Sequence, residues 1–326
     1  MAELTMAQAI NQALMQTMAQ DDTVILLGED IGRNGGVFRV TKDLFEQFGE
    51  DRVVDTPLSE SAILGSAVGL AMNGLHPVAE IQFLGFICSG FHQIITQAAR
   101  LRSRSLGHFT VPLVIRAPYG GGIGAPELHS DSLETFFVHS PGLKVVVPSR
   151  PFDAKGLLFS AIADPDPVIF LEPMPLYRAF REEVPSEVYF EPLGKARVVH
   201  EGMNLTVIYW GSPGAWIIPT VLSVEKATGS TIEVIDVRTL SPLDEETIIA
   251  SVTKTGRVLV VHEAVRTAGV GAEIISRIMA EAFYRMEAPP MRVCGYDTPY
   301  PVAQLEREWL PNSARVERTL RMLLEY

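Results

Sequence analysis

The sequence predicts an α/β protein in two domains, each built on a largely parallel sheet. Three observations carry this. At 326 residues the chain is longer than one ordinary core sustains. Short runs rich in Val, Ile and Leu alternate with longer helical patterns, as strand–helix–strand crossovers require. The strand candidates are almost continuously apolar, as strands covered on both faces are.

The elements follow in order. Met1 to Gln20 reads as an amphipathic helix with Glu3 and several glutamines. It has neither a basic leader nor a continuous apolar stretch, so it is not expected to be a signal peptide. First-half strands are expected at Thr23–Leu27, Val78–Phe83, Pro112–Arg116, Leu143–Val147 and Val168–Leu171. Helices are expected at Glu60–Asn73, Gly90–Ser105 and Pro151–Ala163. From Glu172 to Pro192 four prolines punctuate a charged stretch. Proline lacks an amide donor and restricts its predecessor, so regular structure is not expected there. A second series comprises strands at Leu205–Trp210, Ile232–Val237, Val258–His262 and Arg292–Cys294, with helices near Ala215–Ala227, from Asp244, and near Gly269–Tyr284. The expected division is a first domain over 1–185, a linker over 186–200 and a second domain over 201–326.

Composition narrows the function. Hydrophobic content of 47% and charged content of 20% suit a soluble globular protein. The net charge of -12 leaves no basic excess to neutralise phosphates, which excludes nucleic acid as a partner. An acidic balance suits a basic protein partner, and is also ordinary for a cytosolic protein. Cys88 and Cys294 form neither a disulfide framework nor a zinc pattern, so a reducing compartment is expected. No apolar run approaches the roughly 20 residues of a membrane span, so no membrane association is expected.

Five places can carry chemistry. Asp55-Thr56-Pro57-Leu58-Ser59-Glu60 leads into a helix apolar on nearly every face, with Ser59 available as its cap. Glu60 in the first turn is either a plain dipole-favoured acid or a desolvated acid/base group with a raised pKa. Glu29 follows the first strand, where open α/β sheets bind ligands. Gly120-Gly121-Gly122-Ile123-Gly124 is followed by no Lys-Ser/Thr, so it is no phosphate loop; it leads to His129, a candidate acid/base or charge stabiliser. Phe83-Leu84-Gly85-Phe86 can pack on a flat heterocycle or simply fill core. Gly269-Val270-Gly271 is a partial dinucleotide-type pattern that close helix packing explains as well.

The ordered set resembles the beta subunits of 2-oxo acid dehydrogenases over essentially the whole chain. It comprises Gly28-Glu29-Asp30, Asp55 to Glu60, Ala79-Glu80-Ile81-Gln82-Phe83, His129-Ser130, Ser140 to Val146 and Asp153 to Leu158. It continues through Leu176-Tyr177-Arg178, Asp236-Val237-Arg238-Thr239, Lys254 to Arg257 and Cys294 to Thr298. The resemblance implies a pyrimidine-binding thiamine diphosphate fold followed by a transketolase C-terminal-type domain. It implies that Glu60 bonds the aminopyrimidine ring of thiamine diphosphate and favours the tautomer that takes the thiazolium proton. Phe86 would stand beside that ring, Glu29 near the cofactor, and His129 near the acyl intermediate, assisting its transfer to lipoamide. A structural monovalent cation, K⁺, would map onto Leu113, Ala161, Ile162, Asp164 and Asp166.

The Gly-Asp-Gly that begins the diphosphate and Mg²⁺ motif of thiamine enzymes occurs nowhere in the chain. The resemblance therefore implies an alpha subunit that supplies those ligands, in a two-alpha, two-beta heterotetramer. It further implies docking to a dihydrolipoyl acyltransferase core through its basic subunit-binding domain, and residence in a bacterial or archaeal cytoplasm. Pyruvate is the favoured substrate; branched-chain 2-oxo acids and acetoin stay open. A non-catalytic assembly scaffold and a nicotinamide-binding dehydrogenase are the readings from other classes.

Overall fold

The computed structural model describes residues 1–326. The chain opens with β1 (Ala2–Leu4) and α1 (Met6–Gln20). Thr5 and Gln8 form a reciprocal capping box at the start of α1, satisfying two otherwise orphan amides. Then come β2 (Val24–Gly28), α2 (Leu44–Phe48), β3 (Val53–Asp55), α3 (Glu60–Met72) and β4 (His76–Glu80). In place of one helix over Gly90–Ser105, the chain runs through a 3₁₀ segment (Leu84–Gly90), a π turn (Gln93–Gln97), a 3₁₀ turn (Ala98–Arg100) and the short α4 (Leu101–Arg104). The expected helix is thus broken into turns of different pitch.

The half continues with β5 (Val114–Tyr119), α5 (Glu134–Val138), β6 (Lys144–Val146), α6 (Pro151–Ile162) and β7 (Val168–Pro173). Pro151 lies in the first turn of α6, where its missing amide costs nothing. Regular structure does pass through the proline-punctuated stretch: β8 (Glu182–Val184) pairs antiparallel with β1, tying both to the domain edge.

The second half holds β9 (Arg197–His200), β10 (Leu205–Tyr209), α7 (Ile217–Thr228), β11 (Ile232–Asp236), β12 (Thr239–Ser241), α8 (Glu245–Thr255), β13 (Val258–Val265), α9 (Val270–Ala282), β14 (Met291–Gly295), α10 (Glu306–Trp309) and α11 (Ser313–Leu324). Asp244 caps α8 by accepting from the Thr247 amide, and Asn312 caps α11 by accepting from that of Arg315.

The first sheet has seven strands in the order β12-β6-β7-β5-β4-β2-β3, and the second five in the order β14-β13-β10-β11-β9. All pairs are parallel except β12 with β6 and β9 with β11. Strand β12 belongs to the second half by sequence yet pairs at the edge of the first sheet.

Three cores follow from this layering. One, including Met6, Ile10, Leu14, Leu157 and Phe170, lies where α1 and α6 cover one face of the first sheet. A second, including Leu205, Ile217, Val234 and Leu320, lies under α7 and α11 on the outer face of the second sheet. The largest is shared. Leu64 and Ala67 of α3, Ile115 and Ile169 of the first sheet, and Ile208, Val260 and Ile274 of the second half belong to one continuous cluster. The two halves therefore meet through apolar packing, which makes their relative position rigid.

Candidate active site

The candidate residues gather beyond the carboxyl ends of β2, β4 and β5. Glu29 directly follows β2, and Glu60 is the first residue of α3, just after β3. Glu60 accepts from Ser89 Oγ at 2.8 Å, and the same hydroxyl reaches Phe86 O at 3.2 Å. Gly90 makes this approach possible: an added Cβ there would meet Glu60 O at 2.9 Å and Leu64 Cδ1 at 2.4 Å. Burial, with Asp30 and Glu60 beside it, pushes the Glu29 carboxyl up from its ordinary value.

Two expectations about this helix need correction. Ser59 occupies the cap position of α3 but makes no side-chain capping bond. The helix is also not enclosed. It buries Ile63, Leu64, Ala67, Val68 and Ala71, whereas Ser61, Ala62, Ser66 and Met72 stand exposed and Glu60 is half-buried. An apolar helix with one uncovered face is the pattern of a surface awaiting a partner.

His129 ends a 3₁₀ turn, Glu127–His129. Its ring lies edge-on to Phe83 (4.6 Å between centroids) and Phe86 (5.0 Å). Its Nδ1 is buried and without a hydrogen-bond partner. Gly85 lets the histidine turn sit down on this wall, because a Cβ there would lie 2.2 Å from Leu128 O. The structure thus brings Glu29, Glu60, Phe86 and His129 around one mouth: Ser89 joins Glu60 to Phe86, Phe86 packs on His129, and Glu29 lies within reach of the Glu60 charge. Ser89 carries no signal in the sequence that would have singled it out.

Beneath the mouth lies a buried charge network. Arg116 donates to Glu172 through Nε at 2.6 Å and Nη2 at 2.9 Å, and to Glu80 through Nη1 at 2.7 Å. Tyr177 Oη donates to Glu172. Burial alone would lower the Arg116 pKa; Glu172 and Glu80 overcome it and push the guanidinium further up. The network props the aromatic wall: Tyr177 packs on Phe38 (5.1 Å), Phe38 on Phe83 (5.6 Å), and Phe83 on His129.

The cation positions lie together at the opposite, amino-terminal edge of the strands. Leu113 O accepts from the Val168 amide. The Asp164 carboxylate is paired with Lys144 and that of Asp166 with Arg102. Both side chains have cationic partners, which leaves backbone carbonyls as the donors for any ion. No group of three or more His, Cys, Asp and Glu side chains arranged to hold a metal occurs in the chain.

The glycines at 269 and 271 serve packing. A Cβ at Gly269 would lie 2.9 Å from His262 Cε1, and one at Gly271 would lie 2.7 Å from His262 Nε2. That imidazole stacks flat on Trp210 at 4.9 Å, and burial, with Arg292 nearby, pushes it down to about 3, so it stays neutral. A dinucleotide has no room where the ring sits.

Comparison with known proteins gives the family. Residues 2–179 match the family described as transketolase, pyrimidine binding domain, and residues 194–316 the family described as transketolase, C-terminal domain. The chain is 53% identical to the pyruvate dehydrogenase E1 component subunit beta of Acholeplasma laidlawii, over 99% of this chain and 98% of that one. It is 52% identical to the protein of the same name from Bacillus subtilis, over the full length of both. In fold it resembles a split-gene transketolase, described as an inactive beta4 tetramer, with a TM-score of 0.77, 20% identity and 99% of each chain covered. It also resembles a transketolase from Leishmania mexicana, with a TM-score of 0.70 and 16% identity, covering 100% of this chain and 46% of that one. This chain belongs to the family of pyruvate dehydrogenase E1 component beta subunits.

Proposed function

We propose that the chain is the catalytic beta half of a 2-oxo acid dehydrogenase, with pyruvate as substrate, and that its active site is completed by an alpha subunit. One observation carries this: Glu60, Glu29, Phe86 and His129 share a mouth whose α3 wall is left uncovered on one side. The residues fit the pyrimidine half of thiamine diphosphate. A half-buried carboxylate at a helix start can bond a ring nitrogen, Ser89 ties it to Phe86, and the Phe86 ring packs against His129, whose buried Nδ1 has no hydrogen-bond partner. When bound, thiamine diphosphate supplies the electron sink for decarboxylation.

Glu60 holds a proton at the pyrimidine ring nitrogen, and Ser89 orients its carboxyl. Glu29 sets a second carboxyl beside Glu60 at the same mouth, pushed up from its ordinary value by burial and by the charges of Asp30 and Glu60. Phe83 and Phe86 exclude water and fix the His129 ring, which donates a hydrogen bond as the acyl unit passes to the lipoyl disulfide, one sulfur taking the acyl group while the other is reduced to a thiol. Diphosphate and Mg²⁺ ligands belong to the alpha subunit, which covers the open face of α3 in a two-alpha, two-beta assembly. The acidic balance of -12 suits a basic docking segment on the acyltransferase core. A potassium ion would be held by backbone oxygens around Leu113, Ala161, Ile162, Asp164 and Asp166. A cytoplasmic setting follows from two free cysteines, Cys88 and Cys294.

The test is co-purification with the alpha subunit, then decarboxylation of pyruvate, branched-chain 2-oxo acids and acetoin with and without thiamine diphosphate and Mg²⁺. Glu60→Gln should lose at least about 100-fold in turnover while still assembling. Unchanged turnover would leave assembly as the only role of the chain.

A further inference from the structure

The loop that presents His129 is held by the second domain. Gly120 N–H bonds Asp131 O at 3.3 Å, closing residues 120–131 into a loop with joined ends. Gly120, Gly122 and Gly124 have positive φ, and Gly122 to Gly124 and Pro126 to Leu128 are exposed. Such a segment has no core of its own and many conformations to lose. Its anchors come from elsewhere. Glu263, on β13, accepts from the Gly121 amide at the loop entry and from Ser132 Oγ (3.3 Å) at its exit, and from Ser212 Oγ at 2.9 Å. Glu306, opening α10, accepts from the Gly122 amide at 2.8 Å, the Gly124 amide at 3.2 Å and Tyr300 Oη. Both carboxylates are buried, at 4% and 7% exposure. Tyr300 covers Gly121 so closely that a Cβ there would lie 1.7 Å from its hydroxyl. On the first-domain side Gly122 lies against Pro175, and the tip returns to that domain, where Leu128 O rests on Gly85 and His129 on Phe83 and Phe86.

We propose that Glu263 and Glu306 are positioning residues for His129. The second domain, beyond any assembly role, thereby sets the geometry of acyl transfer. This rests on the reading of His129 as the group that assists transfer to the lipoyl disulfide. The physical basis is that amides bonded to buried carboxylates are charge-assisted and strongly oriented. Once released, the glycine loop lets the imidazole wander, and displacement of about 1 Å can cost on the order of 100-fold in rate.

The experiment is a double-mutant cycle in the reconstituted alpha–beta complex. Turnover is coupled in parallel to free lipoamide and to ferricyanide, and the ratio of the two rates is the readout. A variant that merely lowers the amount of folded complex lowers both rates together and leaves the ratio alone. His129→Ala sets the scale. Glu306→Ala should lower the lipoamide-to-ferricyanide ratio about tenfold or more. In the His129→Ala background it should lower the ratio less than about threefold further, because residues acting through one another are not additive. Glu306→Gln, which keeps a carbonyl acceptor for Gly122, should recover part of the ratio. If Glu306→Ala does not assemble, Glu263→Gln and Tyr300→Phe carry the same cycle. A normal ratio in these variants, or full additivity with His129→Ala, overturns the positioning role while leaving His129 in place. A normal ratio in His129→Ala itself removes the histidine reading, and the inference falls with it.

Discussion

Replacing Arg116 with methionine isolates the buried network beneath the site. Methionine matches the guanidinium stem in length and fills its space but makes none of the three charged bonds to Glu172 and Glu80. Two carboxylates, at 0% and 7% exposure, are then left with only the Tyr177 hydroxyl between them. Removing one partner of a buried pair costs about 3–5 kcal/mol, and two stranded acids place this case at the upper end. The sign with pH follows from the same stranding. In the variant Glu80, already pushed up by burial, loses the guanidinium that holds it down, so its folded-state pKa lies above its unfolded one. Its protonated form is tolerated, so the deficit is smallest below the unfolded value. It grows to its full size as pH rises through the folded value. Urea unfolding of the alpha–beta complex, followed by circular dichroism from about pH 5 to about pH 8, measures this through midpoints at constant m. A deficit below about 1 kcal/mol, the size of a surface pair, would refute the reasoning. So would a deficit that does not shrink on acidification.

Other outcomes follow from single contacts. Glu134 is buried beside Glu263, with one oxygen bonded to Trp210 Nε1 and the other unpartnered, and burial raises it to about 7. Its contribution is present below its unfolded value of about 4.5 and lost as pH rises through about 7, so Glu134→Gln should flatten the fall in melting temperature between about pH 5 and about pH 8. An unchanged slope assigns that fall to other groups. Gly142 has φ of +98° and an added Cβ would lie 2.0 Å from Ala99 O, so Gly142→Ala should cost at least about 2 kcal/mol in urea titration. Phe137 is fully buried in the core the two halves share, and Phe137→Ala should cost about 3–5 kcal/mol, with both halves losing stability in hydrogen exchange. Loss confined to the first half would mean that the shared core does not couple them.

Much of this molecule was legible before folding. The continuously apolar runs around Val24–Gly28, Val114–Tyr119 and Val168–Pro173 read as doubly covered parallel strands, because burial on both faces leaves no room for polar alternation. The placing of Glu29 just beyond the end of the first long strand was legible too, since open α/β sheets put their ligands there. Other features were visible only in part. Glu263 interrupts the apolar strand Val258–Val265, and a carboxylate in such a run must find partners, but the sequence does not say which. The half-exposed face of α3 reads in sequence as plain burial, because apolar content is the same whether a core or a partner covers it.

Local pattern determined most of the parallel strands and the longer helices between them, since propensity and periodicity act over a few neighbours. Only the tertiary structure decided that β12 crosses to the first sheet and that Ser89 meets Glu60. It also decided that Glu263 and Glu306, separated by more than 130 residues from the loop they hold, face Gly121 to Gly124. Those contacts join positions far apart along the chain, and their existence depends on how whole layers pack, which no short-range preference encodes.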